Sequence, residues 1–474
     1  MNNLILKTDS YKLTHWKMLP PASAYAYSYI ESRGSDQHET RGLLDGYKET
    51  LWFGLQAILK RHFTNPVTMD DVNQAEKFTD CHIGKGVFNR AGWEAIVNTH
   101  GGRLPLRIKA LPEGTVVPTG NVLMTVENTH PDFAWLVSYF EPLFLQVWYP
   151  TTVASISYSI RNLVKTAFDE TGCSGVDSGY RLHDFGFRGV SSVDSGRLGG
   201  AAHLVAGWKG TDTMQGIAEL FDSYHAETMP AFSVPATEHS VVCAWSDADS
   251  RNDWHALEMA VSELEKNKGI VACVGDTYSI FRFAEWCATE PMLSRIKNSG
   301  GTFVLRPDSG DPVETPCKVI ETLMSGFGYN ENEKGYKTLP DCIRVLQGDG
   351  INEATIRKIY LRLGINKLGA SNIIFGMGGA LLQHCDRDWF KFAMKCSAMQ
   401  INGEWKDLYK DPDTDSVKRS KKGRVVTFKD ADGKLFSDRE ELAQTNHNIK
   451  NQMVTVWENG QFVTDYKFEE IRKE

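Results

Sequence analysis

The sequence contains no Cys-x-x-Cys pair. Its nine cysteines (Cys81, Cys173, Cys243, Cys273, Cys287, Cys317, Cys342, Cys385 and Cys396) stand singly along the chain. That spacing excludes a zinc ribbon or finger and offers no disulfide framework, and an odd number of scattered thiols suits a reducing cytoplasm. Long apolar runs are also missing. The N-terminus has no basic start leading into a sustained apolar stretch, and the most apolar later segment, Trp135 to Tyr149, carries Glu141 and Pro142. No signal peptide and no membrane span are expected. Positive charge is in deficit too: 52 Lys and Arg stand against 60 Asp and Glu, a net charge of −8. A broad nucleic-acid-binding face is excluded, so any anionic ligand has to be met by a local basic cluster.

What is present is a chain of 474 residues that is 41% hydrophobic, enough for a large core and more than one domain. Tyr25, Tyr27 and Tyr29 alternate with small residues and predict a strand with one aromatic face, ending near Glu31. Short β-rich pieces follow between Gly101 and Glu127, and Asp132 to Phe168 reads as two helices broken at Tyr149-Pro150. Beyond about Gly175 the pattern becomes apolar strand, polar glycine-containing loop, helix. Ile270–Val274 leads into Gly275-Asp276-Thr277, Thr302–Leu305 into Arg306-Pro307-Asp308-Ser309-Gly310, Ile343–Leu346 into Gln347-Gly348-Asp349-Gly350, and Ile373–Phe375 into Gly376-Met377-Gly378-Gly379. This alternation predicts parallel strands in a βα barrel, with a doubly wound sheet as the alternative. After Asp388 it stops, and turn signals at Asp432-Gly433 and Asn459-Gly460 predict two hairpins. The expected fold is α/β: an irregular parallel βα barrel (151–388) inserted in a β-rich α+β domain built from both chain ends (1–150 and 389–474).

One stretch stands out by composition. Leu182 to Ser192 collects two Phe, an Arg, two Gly and two Ser, which suits either a polar turn or a ligand wall. In a barrel it would share one face with the loops carrying Arg188, Asp212, Asp276, Arg306, Asp308 and Asp349, and with the Gly378-Gly379 turn, whose helix amides can cradle a phosphate. The same acids and arginines could form a structural ion-pair network. Asp212 could cap the next helix, Asp9 or Ser10 could cap one near the N-terminus, and the basic run Lys418–Arg424 could be a solvated face.

Seven ordered motifs carry a resemblance across essentially the whole chain: Thr8–Lys12, His183–Gly189, Lys209–Thr213, Val234–Ser240, Arg306–Gly310, Gln347–Gly350 and Lys418–Arg424. Together they resemble the nicotinamide phosphoribosyltransferases of the type II phosphoribosyltransferase family. The resemblance implies a cytoplasmic homodimer with active sites at the subunit interface. It would make nicotinamide mononucleotide and pyrophosphate from nicotinamide and phosphoribosyl pyrophosphate, with Mg²⁺ and with ATP as a coupling substrate. It implies that Phe185 and, from the second subunit, Tyr11 sandwich the pyridine ring, with Asp9 beside Tyr11, and that Asp212 accepts from the carboxamide. Arg188 and Arg306 would lie near ring and ribose, and Asp308 at the ribose hydroxyls. Gly348, Asp349, Gly378 and Gly379 would wall the phosphate and ribose site. Arg33, Arg387, Lys395 and Lys418 would meet phosphates across the dimer. His239 would be the histidine phosphorylated by ATP, with Asp276 and Asp308 in the catalytic group and Glu238 orienting the imidazole. The resemblance assigns no metal ligands. Ala380 in place of a third glycine, and Phe187 where animal members commonly have tyrosine, suggest a bacterial or viral member. The rival readings are a nicotinate phosphoribosyltransferase and a non-catalytic anion-binding dimer.

Overall fold

The computed structural model describes residues 3–34, 47–412 and 419–473. Both chain ends enter one antiparallel sheet of seven strands, in the order Glu404–Asp407, Ala393–Ile401, Ser23–Glu31, Val122–Asn128, Leu106–Ala110, Val454–Glu458 and Gln461–Phe462. The tyrosine-rich strand is central in it. Tyr27 and Tyr29 are buried, but so are Ala26, Ser28 and Ile30 on the other face, so the strand is covered on both sides rather than aromatic on one. Among the described residues between it and residue 101 lie three helices, Leu55–His62, Met69–His82 and Arg90–His100, which a β-centred reading of this half does not anticipate. The second has a reciprocal cap: Thr68 accepts from the Asp71 amide while Asp71 accepts from that of Thr68.

Pro150 does not break a helix. It falls in the first turn of Trp148–Glu170, where a missing N–H costs nothing. The interruptions lie earlier, at Phe140 and in the 3-10 turn Leu145–Val147. Both predicted hairpins form. Asn459 and Gly460, with φ of 49° and 84°, join Val454–Glu458 to Gln461–Phe462, and Gly433 sits at φ 84° in the turn between Val425–Lys429 and Leu435–Arg439.

The inserted middle is a second sheet of six parallel strands, ordered Gly210–Thr211, Leu182–Asp184, Ile373–Met377, Ile343–Gln347, Thr302–Arg306 and Ile270–Val274. The segment 232–237 bridges its two edges. Phe232 N donates to Lys209 O at 2.9 Å, and Ala272 N donates to Pro235 O at 2.9 Å. Pro235 cannot donate to a ladder, which accounts for isolated bridges where a regular strand would otherwise sit. The curled, joined sheet is an irregular barrel and not a doubly wound layer. Ala272, Val304 and Leu346, with Phe185, Val234 and Ile374 against them, form a small apolar cluster separate from the main core. The predicted residues Phe185, Arg188, Asp212, Asp276, Arg306, Asp308, Asp349, Gly378 and Gly379 lie at or just after the C-terminal ends of these strands, the end at which barrels build sites. All nine cysteines are free, and among the described residues no helix is long and apolar enough to cross a membrane.

Candidate active site

Phe185 follows its strand directly and packs its ring against Gly376. A Cβ at 376 would come within 2.1 Å of the ring, so only glycine leaves the ring room. The Arg306 guanidinium stands over the same ring, 5.3 Å from its centre, and among the described residues its buried Nε has no protein acceptor. A buried donor left open beside an aromatic face suits a ligand oxygen. His183 packs its ring 5.1 Å from Phe185 and brings Nε2 to 2.8 Å from Asp212 Oδ1, the oxygen to which Ser233 also donates at 2.5 Å. Burial pushes the Asp212 carboxyl up, but the His183 bond and charge, then Ser233 and Arg306, outweigh it and leave it below the usual range. Asp212 does not cap the following helix, which begins at Met214 after Thr213. Its side chain faces the barrel mouth instead.

A second group stands at the neighbouring strand ends. His239, the first residue of the short helix His239–Trp245, brings Nε2 to 2.8 Å from Oδ1 of Asp276, whose side chain is only 4% exposed. The other Asp276 oxygen accepts from the Asp308 amide at 3.2 Å and from Ser309 Oγ at 2.5 Å. One buried carboxylate thus ties the histidine to the 308–309 loop. Glu238 does not orient His239; it accepts from Ser240. Asp308 reaches Gly348, where a Cβ would meet its carboxylate at 2.8 Å, and Asp349 is exposed just beyond. Gly378 lies beneath the Phe185 carbonyl, and Gly379 opens a helix of four residues. The turn carrying exposed Arg188 packs Gly189 against Gln383 of the same loop.

The remaining candidates lie elsewhere on the same chain. Tyr11 is 59% exposed; its ring contacts are with His15 and the Lys12 ammonium, not with Phe185. Lys12 donates to Glu141 at 2.5 Å. Glu141 in turn acts on Lys395, whose pKa is lowered by burial and by Arg33, Lys410 and Arg387. Lys12 and Glu141 thus link Tyr11 to the charges around Lys395, among them Arg387 and Arg33, the latter paired with Glu31 at 2.8 Å. Asp9 is exposed and lines a cavity of about 970 Å³ whose far wall is formed by Ser191, Ser192 and Ser195. Lys418 lies outside the described residues.

Comparison with known proteins places this arrangement. The nicotinate phosphoribosyltransferase family profile matches residues 180–461, and the N-terminal domain profile of nicotinamide phosphoribosyltransferase matches residues 3–108. The chain belongs to this type II phosphoribosyltransferase family. A nicotinamide phosphoribosyltransferase of Xanthomonas campestris pv. campestris is 43% identical over 479 residues, covering 100% of this chain and 98% of its own. One from Acinetobacter baylyi is 31% identical, covering 98% and 95%. The fold is shared with a nicotinate-nucleotide pyrophosphorylase from Pyrococcus furiosus (TM-score 0.59, 16% identity, 99% of this chain and 94% of that one). It is also shared with human nicotinic acid phosphoribosyltransferase (TM-score 0.55, 15% identity, 98% and 92%).

In this family member the structure adds residues that sequence reasoning passes over. His183 stands at the head of the His183–Gly189 motif, two positions before Phe185 and on the same side of the strand end. Ser233 lies in the irregular segment that completes the ring, where no periodicity marks it. Asp184 is fully buried and, pushed up by burial, anchors the loop by accepting from the Gly186 amide at 2.7 Å.

Proposed function

We propose that this chain transfers the phosphoribosyl group of phosphoribosyl pyrophosphate to nicotinamide, giving nicotinamide mononucleotide and pyrophosphate. The observation that carries this reading is the Asp212 carboxylate at the barrel mouth. Its Oδ1 is occupied by His183 and Ser233, and among the described residues Oδ2 has no protein donor. An amide N–H can fill that place, whereas the carboxylate of nicotinate would be repelled. The names and full-length similarity of the bacterial relatives support the same substrate.

Phe185 offers one stacking face, and the Arg306 guanidinium offers its open Nε to an oxygen of ring substituent or ribose. The pyridine nitrogen bonds to the anomeric carbon as the carbon–oxygen bond to pyrophosphate breaks, and the electron pair leaves with pyrophosphate. Asp308 faces the ribose hydroxyls, and the Gly348-Asp349 and Gly378-Gly379 turns bring backbone close to the 5′-phosphate. Among the described residues no cluster of three or more His, Cys, Asp or Glu side chains suits a dedicated metal site. Mg²⁺ would instead arrive with the pyrophosphate of the substrate, and Asp308 and Asp349 are the carboxylates of the neighbouring loops that would help to hold it. It would stabilise charge on the departing pyrophosphate.

The second stacking face and the remaining cations come from a second copy. Tyr11 and the cluster Arg33, Arg387, Lys395 do not reach this chain's own Phe185, which fits a homodimer exchanging them. ATP phosphorylates His239. With Nε2 donating to Asp276, the Nδ1 lone pair is the nucleophile: a nitrogen–phosphorus bond forms, the β–γ bridge breaks and ADP leaves. Nine free thiols fit a cytoplasmic enzyme. The test is product formation from phosphoribosyl pyrophosphate with nicotinamide or nicotinate, with and without ATP. Nicotinamide turnover stimulated by ATP is expected. No product from either base would overturn the reading, and preference for nicotinate would overturn the role of Asp212.

A further inference from the structure

We propose that His183, seated by Gly210, is a positioning residue that sets base selectivity by fixing the Asp212 carboxylate; the inference rests on the reading of Asp212 as the carboxamide acceptor. His183 is the next residue but one before Phe185, and its imidazole fills the angle between the stacking ring and the carboxylate. The ring centres of His183 and Phe185 are 5.1 Å apart, and Nε2 is 2.8 Å from Asp212 Oδ1. The other nitrogen, Nδ1, lies against the adjacent strand at Gly210, where an added Cβ would stand 2.7 Å from it. His183 and Gly210 are paired residues of neighbouring parallel strands, as are Asp184 and Thr211, so the ladder itself holds the imidazole opposite this bare backbone. A side chain at 210 would push the ring off Asp212.

The consequence is chemical. Asp212 is half exposed, and a free carboxylate there would rotate about its own bonds and present either oxygen, or neither, to a ligand. With Oδ1 taken by His183 from one side and Ser233 from the other, only Oδ2 faces outward, and its direction is fixed. A fixed acceptor rewards a neutral amide and penalises an anion, whereas a mobile one can swing away and let the anion in. Selectivity is therefore shared between the acid and the histidine behind it.

The test measures kcat and KM for nicotinamide and for nicotinate in wild type, His183→Leu, His183→Gln and Gly210→Ala. The glutamine amide can place a donor where Nε2 stands. His183→Leu and Gly210→Ala are expected to raise the nicotinamide KM about tenfold, as loss of a charge-assisted hydrogen bond does, with kcat changed less than threefold. Both should narrow the preference for nicotinamide over nicotinate by a similar factor, and His183→Gln should restore most of it. Loss of Phe185 support alone would instead weaken both bases equally and leave the ratio intact, and that outcome overturns the proposal. So does an unchanged nicotinamide KM in both His183→Leu and Gly210→Ala. If the wild type turns over neither base, it is the functional reading that has failed. The positioning is then judged by imidazole ¹⁵N shifts: Nε2 protonated in the wild type and no longer so held in Asp212→Ala, which removes the acceptor, supports it, and identical spectra overturn it.

Discussion

At the barrel mouth the two carboxylates Asp212 and Asp276 are each held by neighbouring side chains, whereas around Lys395 several cations gather, Arg33 paired with Glu31 and Arg387 with Asp388. Asp276 holds His239 and Ser309, and His183 and Ser233 hold Asp212. In the second region, burial and the neighbouring charges of Arg33, Lys410 and Arg387 make the Lys395 ammonium easier to deprotonate, with Glu141 opposing. The mouth is preorganised for geometry, and on the proposed reading the cations around Lys395 are where a phosphate would be met. The first is how a site selects a shape, and the second how it binds an anion.

If the two regions serve one reaction from different subunits, breaking one in each chain has the largest and most distinctive effect. Phe185→Ala and Lys395→Gln are each expected to lower kcat/KM by about 100-fold, the former through the base and the latter through phosphoribosyl pyrophosphate, given roughly 2–3 kcal/mol per lost stacking or charge-assisted contact. Mixing the two inactive proteins under subunit exchange should restore about a quarter of wild-type activity, because half the dimers then carry one intact site. No recovery on mixing would place both regions in one subunit's site.

Within the mouth, Asp212→Ser removes the charge and keeps a hydroxyl. The preference for nicotinamide over nicotinate should fall by about 30- to 100-fold, chiefly through improved use of nicotinate. Competition assays with both bases read this directly, and unchanged selectivity would remove Asp212 from its role. A smaller effect is expected at the histidine. Asp276→Asn leaves a neutral partner for Nε2, so stimulation by ATP should drop about tenfold, a typical cost for weakening one oriented base, while transfer without ATP stays near wild type. Phosphohistidine formation from labelled ATP checks it, and full labelling would refute the assignment.

The contrast between the regions also explains what could be read from the sequence. Strand, loop and helix alternate along 270–379, so the barrel and its loop residues Asp276, Arg306, Asp308 and Asp349 were legible as a set, while Phe185 stood out by the composition of its stretch and by the resemblance. The ring's last segment was not, since Pro235 and two isolated bridges leave no strand pattern, and Ser233 went with it. Tyr11 and the cations were visible as types, but their place depends on long-range pairing: Lys395 stands opposite Tyr29, more than 360 residues away in the chain. The helices before residue 101 were not read from the sequence, although the Thr68-x-x-Asp71 box marked one of them. Glu238 was the nearest acid to His239 in sequence and the wrong one in space.

The smallest predicted effect lies in the scaffold behind the mouth. His203 is fully buried on the helix Val193–Val205, next to Ser157 and stacked on Trp208 with its ring 5.9 Å away. Burial pushes its pKa down to about 3, assisted by the charge of His183. The unfolded chain takes up this proton near pH 6.5 and the folded one does not, so stability is complete above that value and declines as pH falls toward 3. The decline from this one group is at most about 1.4 kcal/mol per pH unit. Thermal midpoints measured from pH 7.5 to 5 should fall, and His203→Gln, which cannot take up the proton, should flatten the slope while lowering the midpoint at pH 7.5. An unchanged slope in the variant would mean that acid sensitivity resides in other groups. A flattened slope with base selectivity intact would show that the helix supports the barrel without tuning the mouth, which leaves selectivity to His183, Asp212 and Ser233.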